Sequence, residues 1–487
     1  MTKWLPTLSP TAWVTTQALL TQLIGLLLFA IQAPLLGPKA FGLVAIVMAF
    51  IGICEMLMSD ASAECLISIR KISDIHYQTL TTVNVGAATL IAIVVFVAAP
   101  ALAGWFNEPQ LQPIFRWMAL LPIIAAFSSA PIAATKREMQ FRPLALRSIG
   151  GVLAAGVLGL VLTLLGAGVW ALVWQAIAQR LVSVVVLWMT VPIRPRLVVS
   201  RPHLQELGRF VGPVMFSRVM NITTSSVPRF ILGLYLGAVD VGLFSMASRL
   251  SDILQQLTIM PKFAVARVDL RQYAAGSREL DRAVMELFRK VSVMCFPICI
   301  VAAALTPTLF HAWLDKRWAG GIVATQLMLL TCVPIVTSYC ATSTLMALNR
   351  QGSEALISTV QTGSILIVAW CAARFGLTIV ALALMLRPLV LLPLPALYLR
   401  RCGVSLRTLI GGQVPALLVS LGFGAAMWAL RVFLDARLTS VVSLAISACV
   451  SAVLYVLFVS WMLPEMARPV TRRLAALLGS RKPKGES

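Results

Sequence analysis

Apolar runs of about twenty residues, separated by short polar or glycine-rich breaks, recur along the whole chain. A run of that length crosses the hydrocarbon core of a bilayer as a helix. The pattern predicts fourteen such spans, near 11–34, 41–67, 78–101, 113–134, 146–166, 168–191, 207–236, 239–262, 288–312, 322–348, 355–373, 376–399, 410–432 and 439–463. The breaks carry turn-forming residues, as in LLGPKAFG (35–42), GWFNEPQLQP (104–113), LGAG (165–168) and WLDKRWAGG (313–321). The first run is too long for a cleavable signal peptide and lacks a small-residue cleavage site. The expected fold class is therefore an all-α polytopic membrane protein.

Composition agrees. Hydrophobic residues make up 59% of the 487 and charged residues only 12%, half of the roughly 25% carried by soluble domains. Mean hydropathy is +0.90. The net charge of +22 sits in short segments between apolar runs, and no basic domain large enough to fold alone is present, so a nucleic-acid partner is not expected. Counting loops alternately, one side carries Lys3, Arg70, Lys71, Lys136, Arg137, Arg142, Arg147, Arg194, Arg196, Arg201, the cluster between 262 and 290, Arg350, Arg400, Arg401, Arg407 and the tail RRLAALLGSRKPK (472–484). The other side carries Lys39, Lys316, Arg317, Arg374, Arg431 and Arg437. That bias, roughly four to one, puts both termini in the cytoplasm by the positive-inside rule. The basic segments also suit contact with anionic membrane lipids.

Nearly all nine cysteines lie inside apolar runs, as Cys295 and Cys299 do, and read as small apolar residues rather than a disulfide framework. His76, His203 and His311 are scattered without metal-ligand spacing, and no nucleophile constellation or phosphate-binding glycine loop is evident. No catalytic residue, metal or cofactor is expected. A proton gradient, a sodium gradient or the membrane potential is the candidate energy source.

The chain repeats itself. LLGPKAFGLVAI (35–46) and YLGAVDVGLFSM (235–246) share LG-x4-GL at an offset of 200 residues. LLGAGVWALVW (164–174) and RFGLTIVALAL (374–384) share a glycine with Ala-Leu five residues on, and the turns TKREMQF (135–141) and LNRQGSE (348–354) correspond. Internal repeats around a midplane site are a recurring transporter architecture. The expected organisation is an N-terminal lobe over 1–206, a C-terminal lobe over 207–402, two extra helices over 403–463 and a basic cytoplasmic tail over 464–487.

Ionisable residues inside spans cost about 2.5–3.5 kcal/mol each at a helix centre, and this chain has several: Arg180, Arg218, Arg249, Arg387, Glu55, Asp60, Glu64 and Asp252. The four arginines fall near mid-span in predicted spans 6, 7, 8 and 12. Arg218, Asn221, Ser225 and Arg229 form one helical stripe, and Ser245, Arg249, Asp252 and Gln256 another. Such stripes face protein or a wetted cavity. Guanidinium forks suit phosphate oxygens, so a cationic substrate cavity is one reading; structural ion pairs, such as Arg249 with Asp252, are the other. In CEMLMSDASAEC (54–65), helical geometry puts Asp60 and Glu64 on one face and Glu55 about 140–180° away. Asp60 and Glu64 read either as a salt-bridged or wetted pair at a cavity mouth or as an ion-coupling or gating element, since close carboxylates raise one another's pKa.

GPKAFGLVAIVMAFIGICEMLMSDASAECLI (37–67), ATKREMQFRPLALRSIGG (134–151), LLGAGVWALVWQAIAQRLV (164–182) and GRFVGPVMFSRVMNITTSSVPRFILGLYLGAVDVGLFSMASRL (208–250) resemble the polysaccharide transport family of oligosaccharide flippases, in the superfamily of multidrug (MATE-type), oligosaccharidyl-lipid and polysaccharide exporters. The resemblance covers most of spans 1 to 8 and, more faintly, 9 to 12. It implies two six-helix lobes with two extra helices guiding a lipid tail. The implied activity is transfer of undecaprenyl-pyrophosphate-linked oligosaccharide from the cytoplasmic to the periplasmic leaflet of a bacterial inner membrane. The implied substrate cavity would use Arg218, Arg249, Arg180, Arg387, Asn221 and Asp252. A polysaccharide polymerase and chain-length proteins are candidate partners of a monomer. Two departures stand out: Pro228 occupies a place where the family often has an acid, and the segment with Asp60 and Glu64 is more acidic than usual.

Three alternatives remain open. A MATE-type exporter would favour an acidic, aromatic-lined cavity and twelve spans. A lipid II flippase shares fourteen spans and a cationic cavity. A polymerase or ligase would need a sizeable outward loop, whereas the outward loops predicted here have about ten residues or fewer.

Overall fold

The computed structural model describes residues 10–69, 72–191, 198–205, 226–259, 263, 266, 269–273 and 275–462. Among these the regular structure is helical, with no strand. The helices are α1 (Pro10–Met56), α2 (Ser62–Ser68), α3 (Asp74–Trp105), α4 (Leu111–Met118), α5 (Leu120–Ala126), α6 (Ser129–Arg137), α7 (Phe141–Leu164), α8 (Val169–Thr190), α9 (Ser226–Leu236) and α10 (Ala238–Thr258). They continue as α11 (Arg278–Trp313), α12 (Ile322–Leu330), α13 (Cys332–Ala347), α14 (Gln351–Ala373), α15 (Leu377–Val390), α16 (Pro393–Arg401), α17 (Leu406–Asp435) and α18 (Ser440–Met462). Eleven helical stretches among the described residues are long and apolar enough to cross a membrane, and the first of them, Ala12–Ile67, contains two predicted spans.

Those two spans are divided by one residue rather than by the loop expected over 35–42. Gly37 has φ 74° and ψ 170°, a conformation open essentially to glycine alone, and Pro34 and Pro38 flank it. A second departure is the π-helical turn Leu57–Ala61 between α1 and α2. A π turn holds an extra residue, so a count of 100° per residue does not carry across it. The angle between Glu55 and Glu64 deduced from a regular helix therefore does not apply. The predicted ninth span is also longer than expected, beginning at Arg278 behind Ser277, whose hydroxyl accepts from the Leu280 amide as an N-cap.

The helices cluster into two compact units, Met1–Ser245 with Thr362–Val380 and Met246–Gln361 with Ala381–Ser487. In the first, the two copies of the LG-x4-GL motif meet. A Cβ on Gly42 would overlap the carbonyl of Ala238, and a Cβ on Gly242 would overlap that of Pro38. Residue 42 faces 238 while 242 faces 38, so the contact is reciprocal at the same 200-residue offset as the repeat. Gly37 and Gly237, the first glycines of the two motifs, both have positive φ, 74° and 85°. Close backbone approach through small residues is how apolar helices associate where lipid removes the hydrophobic drive.

The same unit is tied by polar knots. Gln32 on α1 donates to Gln175 on α8 at 2.8 Å and lies 3.4 Å from Thr163 on α7. Gly159 leaves room for that knot, since a Cβ there would strike Gln175. Arg137, at the end of α6, donates to the carbonyls of Leu66, Ile67 and Ile69 at 3.2, 3.3 and 2.6 Å. It thereby satisfies orphan acceptors at the end of α2. Ala63, Leu66, Leu80, Ile132 and Leu187 pack around this end.

In the second unit, Phe288, Phe296, Cys295, Cys299, Cys332 and Cys340 share a core. All nine cysteines of the chain are free thiols. Helices α17 and α18 dock on α11: Gly412 lies against Phe288 and Gly424 against Ile300. Asp435 accepts from Thr308 at 2.8 Å and from Ser443 at 2.6 Å, with Arg431 3.3 Å away. Their remaining surface is apolar and exposed, including Leu418, Trp428, Val453 and Leu457, as lipid contact requires.

The reciprocal crossing predicts that Gly42→Val forces two backbones apart. We expect a loss of about 1–3 kcal/mol or more, read as a lower thermal unfolding midpoint of the detergent-purified protein. Gly52→Val, where nothing lies within 4 Å of an added Cβ, is expected to leave the midpoint nearly unchanged.

Candidate functional site

Charge in the span interior first becomes specific at Arg180 and Glu55. Glu55 stands at the end of α1, directly before the π turn, and Arg180 midway along α8. The two form an ion pair between the Arg180 Nε and the Glu55 Oε1. The carboxylate is 7% exposed and the guanidinium side chain 36%. The pair is thus asymmetric: the acid is sealed in protein while part of the base stays exposed. Two residues treated separately by spacing, one as substrate-binding and one as coupling, are a single electrostatic unit.

Arg387, in α15, is half-buried and donates from Nη1 to the Gln361 carbonyl of α14 at 2.6 Å. It is engaged with other groups as well. Arg249 and Asp252 lie on α10, half-buried and exposed respectively, and both are engaged with other groups. The side of α10 that packs inward carries Ser251, 2% exposed, whose hydroxyl donates to the Met328 carbonyl at 2.9 Å. Arg249, Asp252 and Gln256 are turned to the less buried side.

Arg218 and Asn221 lie outside the described residues, and so does the side chain of Asp60. Glu64, in α2, is half-buried and engaged with a neighbouring group. Of the predicted set, Arg180 and Glu55 are joined to each other.

Spacing missed the neutral polar groups. Asn84 of α3 is 5% exposed and reaches the Met58 carbonyl of the π turn, the Ser62 hydroxyl and the Ser129 hydroxyl, each at 3.2 Å. The available signal was an uncharged amide in the middle of an otherwise apolar run, which a search for ionisable residues passes over. The Gln32–Gln175 bond escaped for the same reason.

The described residues define a multi-pass helical membrane protein with an ion pair inside its spans. The chain belongs to the polysaccharide biosynthesis protein family, whose model matches residues 31–324, more than half its length. It is 25% identical over 291 residues to the succinoglycan biosynthesis transport protein ExoT of Rhizobium meliloti (strain 1021), covering 59% of this chain and 58% of that protein. It is 21% identical to the lipopolysaccharide biosynthesis protein WzxC of Escherichia coli (strain K12), over 66% of each. The matched stretches thus span less than two thirds of both relatives. Among solved structures, the lipid II flippase MurJ in an inward closed conformation superposes with a TM-score of 0.73 at 12% identity, covering 93% of this chain and 99% of that one. An inward-facing MATE-family multidrug transporter gives 0.55 at 13% identity, covering 83% and 96%. At such identities the likeness concerns the fold.

Removing Arg180 takes this counter-charge from the buried Glu55 carboxylate. Allowing for the partial exposure of Arg180, we expect Arg180→Ala to cost about 1–3 kcal/mol, and Arg180→Ala combined with Glu55→Gln to recover part of that loss. Thermal unfolding of the two variants in detergent checks the order; a double variant less stable than Arg180→Ala contradicts the pairing.

Proposed function

We propose that the protein is a flippase that moves undecaprenyl-pyrophosphate-linked oligosaccharide repeat units from the cytoplasmic to the periplasmic leaflet of a bacterial inner membrane, with both termini in the cytoplasm. The substrate cavity is cationic and works by alternating access, using Arg180, Arg218, Arg249 and Arg387 with Asn221 and Asp252. The observation that carries this reading is the half-open guanidinium of Arg180, held at mid-span by a sealed acid. A cation costs several kcal/mol in hydrocarbon and is kept there when it meets an anion.

In this mechanism a pyrophosphate entering from one side accepts hydrogen bonds from the guanidinium forks, which suit planar pairs of phosphate oxygens. The sugars occupy the wetted interior while the polyprenyl chain stays in lipid beside α17 and α18, whose outer faces are apolar. Asp60 and Glu64, in and just after the π turn, serve as the gate or coupling element, drawing on a proton or sodium gradient or the membrane potential. The family membership and the name of ExoT as a succinoglycan transport protein support the substrate class.

The superposition on a lipid II flippase favours one second reading, that the carried molecule is lipid II. Complementation separates the two: the flippase reading expects rescue of a strain lacking its exopolysaccharide transporter and no rescue of a strain depleted of its lipid II flippase.

Arg218→Ala and Arg249→Ala are expected to abolish polysaccharide export, lowering it by at least about tenfold, while the proteins still insert at normal levels. Surface polysaccharide assayed beside membrane immunoblots tests this; normal export from both variants would remove the cationic cavity from the mechanism.

A further inference from the structure

One span arginine of the first unit differs from the others in having no partner. Arg116, in α4, is half-buried and lies in the stretch Leu111–Arg137, which is long and apolar enough to cross a membrane. Its guanidinium carbon stands over the Phe96 ring of α3, 5.0 Å from the centroid. Among the described residues no carboxylate or carbonyl is paired with it, and its Nε is buried without a hydrogen-bond partner. Arg137, Arg180, Arg387 and Arg431 all have acceptors in protein. A span cation without a protein acceptor calls for one from outside the chain.

The surroundings say what kind of acceptor that is. Phe96 belongs to an exposed apolar face of α3 with Leu90, Ile93 and Val97, a surface suited to lipid. Trp117, beside Arg116 in the chain, is exposed and packs on Trp174 of α8 with ring centroids 5.1 Å apart. Trp105, the last residue of α3, is exposed as well. Exposed tryptophans where α3 ends and α4 and α8 begin mark the level of lipid headgroups. Arg116 thus faces lipid within snorkelling reach of that level.

We propose that Arg116 anchors a binding site for an anionic phospholipid, with Phe96 as the platform under the guanidinium and Trp117 and Trp174 setting its depth. The guanidinium fork fits a pair of phosphodiester oxygens. A soluble anion would have to leave water to reach this apolar face. A lipid phosphate arrives with acyl chains that cover Phe96 and Val97. The headgroup is anionic rather than zwitterionic, because the turn before α4 offers an ammonium no open acid. Its one carboxylate, Glu108, is held by Lys39 at 3.0 Å, and that lysine adds positive charge at the same end. In the orientation proposed above, the site faces the periplasmic leaflet. It lies apart from the Arg180–Glu55 pair and does not depend on which molecule is carried.

The test uses the purified, delipidated full-length protein in detergent, with lipid binding followed by native mass spectrometry. The first phosphatidylglycerol is expected to bind at least about tenfold more tightly than phosphatidylethanolamine. Arg116→Ala should weaken that first phosphatidylglycerol by at least about tenfold. Phe96→Leu, a change on an exposed apolar face, should weaken it by about threefold and keeps the test open if Arg116→Ala folds poorly. Arg437→Ala, which removes another exposed arginine over a ring, that of Phe433, should leave it unchanged. Affinity unchanged in both Arg116→Ala and Phe96→Leu would overturn the site, as would equal binding of the two phospholipids. Displacement of phosphatidylglycerol by millimolar inorganic phosphate would overturn it in favour of a soluble anion. Displacement by undecaprenyl pyrophosphate at a lower concentration than phosphatidylglycerol would overturn it in favour of a polyprenyl lipid.

Discussion

Hydrocarbon supplies no hydrogen-bond partner, and every polar atom drawn into this chain's spans must find one within the protein. That requirement governs most of what departs from regular helix. Arg137 exists at its place to close the end of α2, and Asp435 gathers Thr308, Ser443 and Arg431 so that α17 and α18 can be held on α11. Gln32 and Gln175 satisfy one another across α1 and α8. Each arrangement is local, and each fixes how two or three helices face one another.

The charges proposed to hold substrate obey the same rule with one difference. Arg180 is matched on one side only, by a carboxylate sealed at 7% exposure, and remains open on the other. On the proposed reading, that open side is where an anion comes and goes. A π turn and the Glu55 end of the ion pair both fall within CEMLMSDASAEC, and Asn84 of α3 bonds the π turn.

Much of this was legible in the sequence. Long apolar runs announce spans because length and hydropathy are local properties, and α3, α7, α8, α14 and α18 follow the predicted runs closely. Mid-span arginines announce themselves through cost alone. What could not be read was pairing. Glu55 and Arg180 are far apart in the chain, and nothing local sets which face of α8 turns toward α1. The break at Gly37 was mistaken for a loop because glycine and proline mark an interruption without giving its length. The π turn was invisible, since it depends on Asn84 and Ser62 holding carbonyls of Leu57 and Met58. Asn84 itself is neutral, and a reading built on ionisable residues had no reason to stop there.

The crossing of the two LG-x4-GL motifs carries a consequence for ancestry. Contacts in which position i meets j while j's counterpart meets i's are the signature of a two-fold dimer of identical subunits, and here 42 meets 238 as 242 meets 38. A protein of half this length could have made the same contact with a second copy of itself. In such a dimer, one glycine codon would have served both sides of the joint, and any replacement would have struck twice. Duplication and fusion release that linkage. The two glycines can now mutate separately, yet each still faces the other's backbone, so the freedom gained in the gene is withheld by the packing.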